Sequence, residues 1–435
     1  MKVTERDRTA ILSSLAAGVV PKVGLQHIQV GRKQEVQAML QDLQKVKGGS
    51  SAIRFIVGRF GAGKSFFMNV VQTVALEQKF VVARADITTD RRLQATDGKA
   101  QALFSELMKN LCTRGKPEGG ALSSLIERWV SDVEHEVKQA GGTEQDVAKR
   151  LAELCKPLQD LVSGYDFANV IGRYYSGFLS QNETLQINAI RWLRAEYQTK
   201  TEARQDLGVR SIIDDDSIYD YLKLFARFVR IAGYSGLIIC LDELVVLSHR
   251  LQNRVSRDNN YEAILRILND CLQGSVDGLG FIFAATDDCI YDKRRGLFSY
   301  EALASRLAEN RFAKGGLVDL GGPVMPLNSL TPEECYVLLH NIREVHARGD
   351  SGKYLIPDEG IVAYLQSCQQ RMGAKYFQSP RETVKDFTNL LNVLEQNPGA
   401  EWKQLIGEIK TTGAQASEPA FAAADADDDL MSFTQ

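Results

Sequence analysis

The feature that most constrains the fold is a glycine-rich turn within residues 55–67, FIVGRFGAGKSFF. The pattern G-x-x-x-x-G-K-[ST] is completed by Gly58, Gly63, Lys64 and Ser65. Glycines permit positive φ angles and a close backbone approach, so that successive N–H groups point into one concavity. Residues 53–57 predict a strand before the turn, and residues 65–78 predict a helix whose positive end faces the same concavity. The turn is therefore predicted to bind phosphate.

Each position of this turn has a predicted contact with a nucleotide. Lys64 supplies a mobile cation for the β- and γ-phosphates, and Ser65 supplies a hydroxyl ligand for Mg²⁺. ATP and Mg²⁺ are therefore the predicted cofactors. The residues predicted to contact the nucleotide are Gly58, Arg59, Phe60, Gly61, Ala62, Gly63, Lys64, Ser65 and Phe66.

A second motif supplies the carboxylates that a phosphate-binding loop needs for hydrolysis. Within GLIICLDEL, residues 237–241 form an apolar run typical of a strand buried on both faces. Asp242 and Glu243 follow at its carboxyl end, where ligands bind in open α/β sheets. We predict that Asp242 holds the metal shell and that Glu243 polarises the attacking water. The alternative is that both residues simply cap a strand.

A third strand is predicted in GLGFIFAATDD, residues 278–288. A polar residue at its end is expected to lie between the two earlier motifs, and Thr286 is predicted to hold the water or the γ-phosphate. The alternative for Thr286 is an ordinary cap of the strand. A further strand is predicted at residues 80–87, and helical periodicity fills the intervals between the strands. This alternation predicts a parallel α/β sheet flanked by helices.

The expected organisation is an ATPase core interrupted by a helical insertion and followed by a helical lid. The predicted divisions are residues 1–112 (N-terminal segment and first part of the core), 113–205 (insertion), 206–325 (second part of the core), 326–411 (lid) and 412–435 (disordered acidic tail). The tail carries DADDDLMSF at residues 425–433, a stretch that is either a docking peptide or a solubilising extension.

The composition of the chain indicates its cellular compartment and limits the kinds of partner expected. The chain has 435 residues, of which 44% are hydrophobic and 25% are charged, values typical of a soluble protein large enough for more than one domain. It contains no apolar run long enough to span a membrane. The seven cysteines share no CxxC spacing, so we expect reduced, buried thiols in a cytoplasmic protein and no zinc site. A net charge of −3 argues weakly against a chain that coats nucleic acid.

Several stretches together resemble a known family. VGRKQEVQAML before the turn, followed by the loop, the DE strand, the threonine-ended strand and a helical lid, resembles the Orc-like and STAND branches of the AAA+ ATPases. The stretches RFGAGKSFF, RADITTDRRLQ, GYSGLIICLDELVVL and DKRRGLFSYEALASRL more specifically resemble the ATP-binding protein family of BREX phage-defence loci, in its smaller, BrxD-like form. This resemblance covers roughly residues 20–390.

The resemblance implies roles for two arginines beyond the core motifs. Arg306, just before the strand PVMPL, is where AAA+ proteins carry an arginine finger that acts on a neighbouring subunit's nucleotide. Arg294 and Arg295 are rival candidates for that role. Arg381 matches the sensor arginine of the lid, although a proline precedes it where the family carries a small residue. The alternative for each arginine is a surface ion pair, which for Arg306 would involve Glu309.

The resemblance also implies partners. It predicts a homo-oligomer that works with a helicase or another defence-system protein, with possible DNA contact that does not read sequence. A nucleotide-gated switch with little hydrolysis is the main alternative, and a small-molecule kinase is a weaker one.

Two further segments have open interpretations. Trp129, Trp192 and the GRYYSG aromatics either stack on bases or pack in the core. The predicted loop at residues 248–261, with Arg250, Arg254 and Arg257, either touches DNA phosphates or is simply solvated.

Overall fold

The computed structural model describes residues 3–313, 319–372 and 380–412. The strands are β1 (Ala52–Val57), β2 (Val81–Asp86), β3 (Leu237–Asp242), β4 (Leu279–Ala285) and β5 (Val324–Pro326). The α-helices are α1 (Glu5–Ala16), α2 (Lys33–Lys47), α3 (Lys64–Glu77), α4 (Lys99–Lys109), α5 (Leu122–Gln139), α6 (Glu144–Gln159), α7 (Gly164–Leu179), α8 (Glu183–Leu193), α9 (Lys200–Leu207), α10 (Ile218–Ile231), α11 (Arg254–Gln273), α12 (Asp287–Tyr291), α13 (Glu301–Leu307), α14 (Pro332–His346), α15 (Asp358–Met372), α16 (Pro380–Gln396) and α17 (Trp402–Thr412). Short 3-10 helices span Leu25–His27, Leu297–Ser299 and Ser351–Lys353, and a π-helical turn spans Val246–Arg250.

The strands form one parallel sheet in the order β2-β3-β4-β1-β5. Alternate residues of the strands enter different clusters, since Phe55 packs on one face of the sheet and Ile56 on the other. Both faces are thus covered, which explains why β1, β3 and β4 read as nearly continuous apolar runs. The prediction of a parallel α/β sheet flanked by helices is confirmed.

The helices between β2 and β3 share the largest apolar cluster with the sheet. Trp129, Trp192, Tyr174 and Tyr175 lie within that cluster, each 4% exposed or less. Core packing is therefore the correct interpretation of these aromatics, and a base-stacking surface is wrong. The tail at residues 413–435 lies outside the described part of the chain.

A separate apolar cluster, away from the sheet, joins helices from the two ends of the described chain. Helix α1 packs on α14 and α16, and Ile11, Leu12, Leu339 and Phe387 belong to one apolar cluster. A helix at the start of the chain thereby contributes to the same core as the helices that follow the sheet. This arrangement places the segment between α1 and α2 beside the carboxyl edge of the sheet.

The stretch predicted as a loop at residues 248–261 is mostly helical. The Asn253 side chain accepts hydrogen bonds from the backbone N–H groups of Val255 and Ser256, at 2.8 and 3.4 Å, and caps α11. Helix α11 therefore begins at Arg254, and the loop prediction is wrong from there onward. In the ranges that the structure covers, no helix is both long and apolar enough to cross a bilayer.

Candidate functional site

The phosphate loop joins β1 to α3 at the carboxyl edge of the sheet. Gly61 and Gly63 have φ angles of +79° and +90°, which explains why glycine occupies these positions. Gly58 has a different role, because a Cβ there would lie 3.0 Å from the Leu327 carbonyl oxygen beyond β5. The motif glycines thus serve both backbone direction and close packing. Ala62 is buried beneath the loop, whereas Arg59 and Phe60 are exposed.

The Lys64 side chain lies against the phosphate loop. Its ammonium donates to the carbonyl oxygens of Gly58 and Arg59, at 2.8 and 3.0 Å. Burial lowers the pKa of Lys64 below its usual value, and the carboxylates of Asp242, Glu243 and Asp287 oppose that shift. The lysine is therefore held at the loop beside acidic groups from the ends of β3 and β4.

The two central motifs meet directly. The Ser65 hydroxyl donates to the Asp242 carboxylate, Oγ to Oδ2, at 2.8 Å. The other carboxylate oxygen accepts from the backbone N–H of Glu243, also at 2.8 Å. The loop after β1 and the end of β3 are therefore joined across β4, which lies between the two strands.

Glu243 occupies a strained backbone conformation. Its φ angle is +58°, in the left-handed region that a residue with a Cβ rarely adopts, and Glu243 is exposed and lines a cavity over the phosphate loop. Desolvation and the neighbouring Asp242 and Asp86 carboxylates raise the pKa of Glu243 above its ordinary value. Glu243 lines this cavity together with Asp242.

Thr286 follows β4 and is half-buried. The loop after β1 lies beside it, because the Gly58 N–H donates to the Ala285 carbonyl at 3.2 Å. The Thr286 hydroxyl accepts from the Cys289 N–H at 3.3 Å and caps the short helix α12. Thr286 thus follows the strand that lies between β1 and β3 and caps a helix, and it is not among the described residues that line the cavity over the phosphate loop.

A cavity of about 400 Å³ lies over the phosphate loop. Three parts of the chain line it: the loop with Asp242 and Glu243, the segment between α1 and α2, and the helices α14 and α16. Its apolar walls are Leu15, Val19, Val20, Ile28, Val30, Phe66, Leu338, Ile342 and Val384. The cavity combines a cationic, amide-rich end at the loop with an apolar end, which suits a nucleotide.

The two arginines predicted from the resemblance differ in position. Arg381 lines the cavity, and its Nε donates to the Gly18 carbonyl at 2.6 Å. Arg306 lies on α13, outside the lining of this chain's own cavity, and donates to the Asn269 side chain at 2.6 Å. Glu309, the suggested ion-pair partner of Arg306, instead accepts from the Tyr291 hydroxyl at 2.9 Å.

The rival finger candidates follow α12. Arg294 is exposed, and its backbone N–H donates to Asp292 at 2.7 Å. The Arg295 carbonyl accepts from the Tyr261 hydroxyl, which ties this loop to α11.

Two residues of the site were not assigned from the sequence. Asp86 ends β2 in register with Asp242, and burial followed by the Asp242 charge raises the pKa of Asp86. Arg32 lines the cavity and reaches the Ala62 carbonyl at 3.5 Å. Asp86 lies in RADITTD and Arg32 in VGRKQE, two stretches that carry the family resemblance. The resemblance therefore pointed to both stretches, although neither residue was given a role.

The oxygen donors of Ser65 and Asp242 suit Mg²⁺ that is shared with phosphates and water, rather than a metal ion held by protein side chains alone. Throughout the described part of the chain, no group of three or more His, Cys, Asp or Glu side chains is placed to hold a metal ion. Ser65 and Asp242 instead present two hard oxygen donors side by side, a set that Mg²⁺ accepts when phosphates and water complete its shell.

Comparison with known families agrees with this geometry. A family model described as BREX system ATP-binding protein BrxC/D matches residues 3–410. No curated protein matches the chain.

Proposed function

This chain belongs to the family of BREX system ATP-binding proteins, and from that membership we propose that it hydrolyses Mg²⁺-bound ATP during phage defence. The observation that carries the proposal is the Ser65–Asp242 hydrogen bond of 2.8 Å, which joins a phosphate loop to a carboxylate strand. A loop that only bound phosphate would not need Glu243 in the lining of the same cavity.

Different residues of the site would bind the phosphates, hold the metal ion and activate the attacking water. The backbone N–H groups of residues 58–65 and the Lys64 ammonium bind the phosphates. Ser65 and Asp242 would hold Mg²⁺, which when bound neutralises charge on the β- and γ-phosphates. Glu243 orients and deprotonates the attacking water, and Thr286 helps to place it. Arg381, which lines the cavity on α16, would bind the phosphates from the lid side.

The direct test is phosphate release from Mg²⁺-ATP by the full chain, alone and with DNA and its partner helicase. We expect release well above the buffer rate in at least one of these conditions. ATP binding without release in every condition would instead support a nucleotide-gated switch.

We also propose that the chain assembles with copies of itself. Arg306 does not line the chain's own cavity, which is compatible with a finger that serves a neighbouring subunit. We expect the solution mass to rise on addition of ATP. A strict monomer with and without ATP would remove the finger role from Arg306 and from its rivals Arg294 and Arg295.

Partners outside the homo-oligomer are proposed from family membership. A helicase or another protein of the defence system would act on DNA with this chain in the cytoplasm. The seven cysteines are free and buried, which supports a reducing compartment.

DNA contact is proposed for a basic surface made of Arg250, Arg254, Lys293 and Arg294, all exposed. The segments that carry these residues follow the adjacent strands β3 and β4 and are joined by the His249–Asp292 pair, Nε2 to Oδ2, at 3.5 Å. The surface is close to the nucleotide site, since the Arg250 charge lies near enough to Glu243 to oppose the rise in the pKa of that carboxylate. Cations in this position suit the phosphate backbone of DNA and carry no sequence readout.

Charge reversal tests this surface. In the Lys293→Glu/Arg294→Glu chain, we expect affinity for a labelled DNA duplex to fall at least about tenfold and the slope of log K against log[salt] to decrease by about two. The matched control is Lys149→Glu/Arg150→Glu on α6, which makes the same charge change on the insertion. Equal losses in both variants, or no loss in the first, would contradict the assignment.

A further inference from the structure

Phe60 is an aromatic residue with an unusual position. It lies on the phosphate loop, 73% exposed, and lines the cavity. Neither glycine-loop geometry nor phosphate binding requires a phenyl ring there, because the loop binds through its backbone N–H groups. The ring is also too exposed to contribute much to the core.

The group that the ring faces is the Arg381 guanidinium. Arg381 Cζ lies 5.5 Å from the centre of the Phe60 ring, within the range of a cation–π contact. On its other side, Arg381 Nε donates to the Gly18 carbonyl. Gly18 has a φ angle of +70°, and a Cβ there would lie 3.2 Å from Lys385 Cδ and 3.6 Å from Arg381 Nε.

Arg381 therefore touches all three walls of the cavity. It belongs to α16, bonds the segment after α1 and rests against the phosphate loop. In the described part of the chain the guanidinium donates to protein through Nε, and its two Nη groups are the groups that a ligand in the cavity would contact. What fixes their direction is the ring on one side and the Gly18 carbonyl on the other.

We propose that Phe60 is a positioning residue for nucleotide binding, whose ring holds the Arg381 guanidinium over the phosphate loop. This inference rests on the proposed function, since it assigns Arg381 to the nucleotide. The Phe60 side chain acts only through Arg381, and its ring makes no bond to phosphate. An aromatic face is the part of the side chain that matters, because an aliphatic group of similar size has no quadrupole.

A double-mutant cycle tests the coupling. The variants are Phe60→Ala, Arg381→Ala and the two combined, with affinity for a fluorescent ATP analogue in Mg²⁺ as the readout. We expect Phe60→Ala to weaken binding about two- to fivefold in the parent chain and to have no further effect once Arg381 is alanine. Phe60→Trp should bind as the parent does, whereas Phe60→Leu should resemble Phe60→Ala.

Equal losses from Phe60→Ala in both backgrounds, or a Phe60→Leu chain that binds as the parent does, would overturn the proposal. Thermal unfolding of each variant checks that the fold is intact. Because the cycle reads binding, it stays interpretable even if the chain proves to have no phosphate release. Failure of hydrolysis and failure of the Phe60 assignment are therefore separate results.

Discussion

Replacement of Glu243 by glutamine is expected to lower ATP turnover by at least about a hundredfold while leaving ATP binding intact. Glutamine keeps the size of the side chain but cannot accept the proton of the attacking water. It also keeps the backbone N–H that donates to Asp242, so the metal-holding carboxylate stays in place. Removal of one negative charge beside Asp242 and Asp86 reduces repulsion of the triphosphate, so binding should be equal or tighter.

Calorimetric titration with Mg²⁺-ATP and a phosphate-release assay on the same preparation measure the two effects. Lys64→Ala is the informative control, because it should lose binding and turnover together. A Glu243→Gln chain that hydrolyses at the parent rate would exclude Glu243 as the base. Loss of binding in this variant would instead indicate that Glu243 has a structural role at the end of β3.

Replacement of Arg54 by alanine is expected to lower the free energy of unfolding by about 3–5 kcal/mol. Arg54 lies on β1, 3% exposed, and pairs with the buried Asp42 of α2 at 2.5 Å. Its Nη1 also donates to the Leu320 carbonyl at 2.7 Å and to the Gly322 carbonyl. Among the described residues, the buried Asp42 carboxylate of the alanine chain would keep only Lys45 as an ion-pair partner, at 3.0 Å. The variant would also lose the Arg54 hydrogen bonds to the Leu320 and Gly322 carbonyls, which precede β5.

Urea unfolding followed by circular dichroism measures the loss. Arg227→Ala serves as the matched control, because Arg227 pairs with Asp277 on the surface at 3.1 Å and should cost under about 1 kcal/mol. Arg54→Met combined with Asp42→Leu should recover most of the stability, since neither charge remains buried. A loss for Arg54→Ala no larger than that for Arg227→Ala would show that the buried pair contributes little.

The sheet could be predicted from the sequence because its signals are local. Strands buried on both faces read as continuous apolar runs, and the polar residues that end them mark the carboxyl edge of the sheet. Asp242 and Thr286 were placed at that edge for this reason, and the structure puts both beside the phosphate loop. Helix α3 was expected at residues 65–78 and spans Lys64–Glu77.

The remaining walls of the cavity depend on contacts between distant parts of the chain. The bond from Arg381 to Gly18 joins residues 363 positions apart, and no local pattern indicates it. The Phe60–Arg381 contact could not be predicted either, because the two residues belong to motifs that are far apart in the sequence. The first turns of α11, residues 254–260, were predicted as a loop because basic and polar residues dominate them, although Asn253 is an ordinary N-cap signal.

The proposed site requires that residues 58–65 and Asp242–Glu243 surround a single Mg²⁺-bound triphosphate. A crystal structure of the Glu243→Gln chain with Mg²⁺-ATP tests this most directly. We expect the triphosphate along the phosphate loop and the metal about 2.1 Å from Ser65 Oγ, with Asp242 in contact with its shell. Nucleotide bound at another position, or a metal ion that touches neither Ser65 nor the shell around Asp242, would contradict the account.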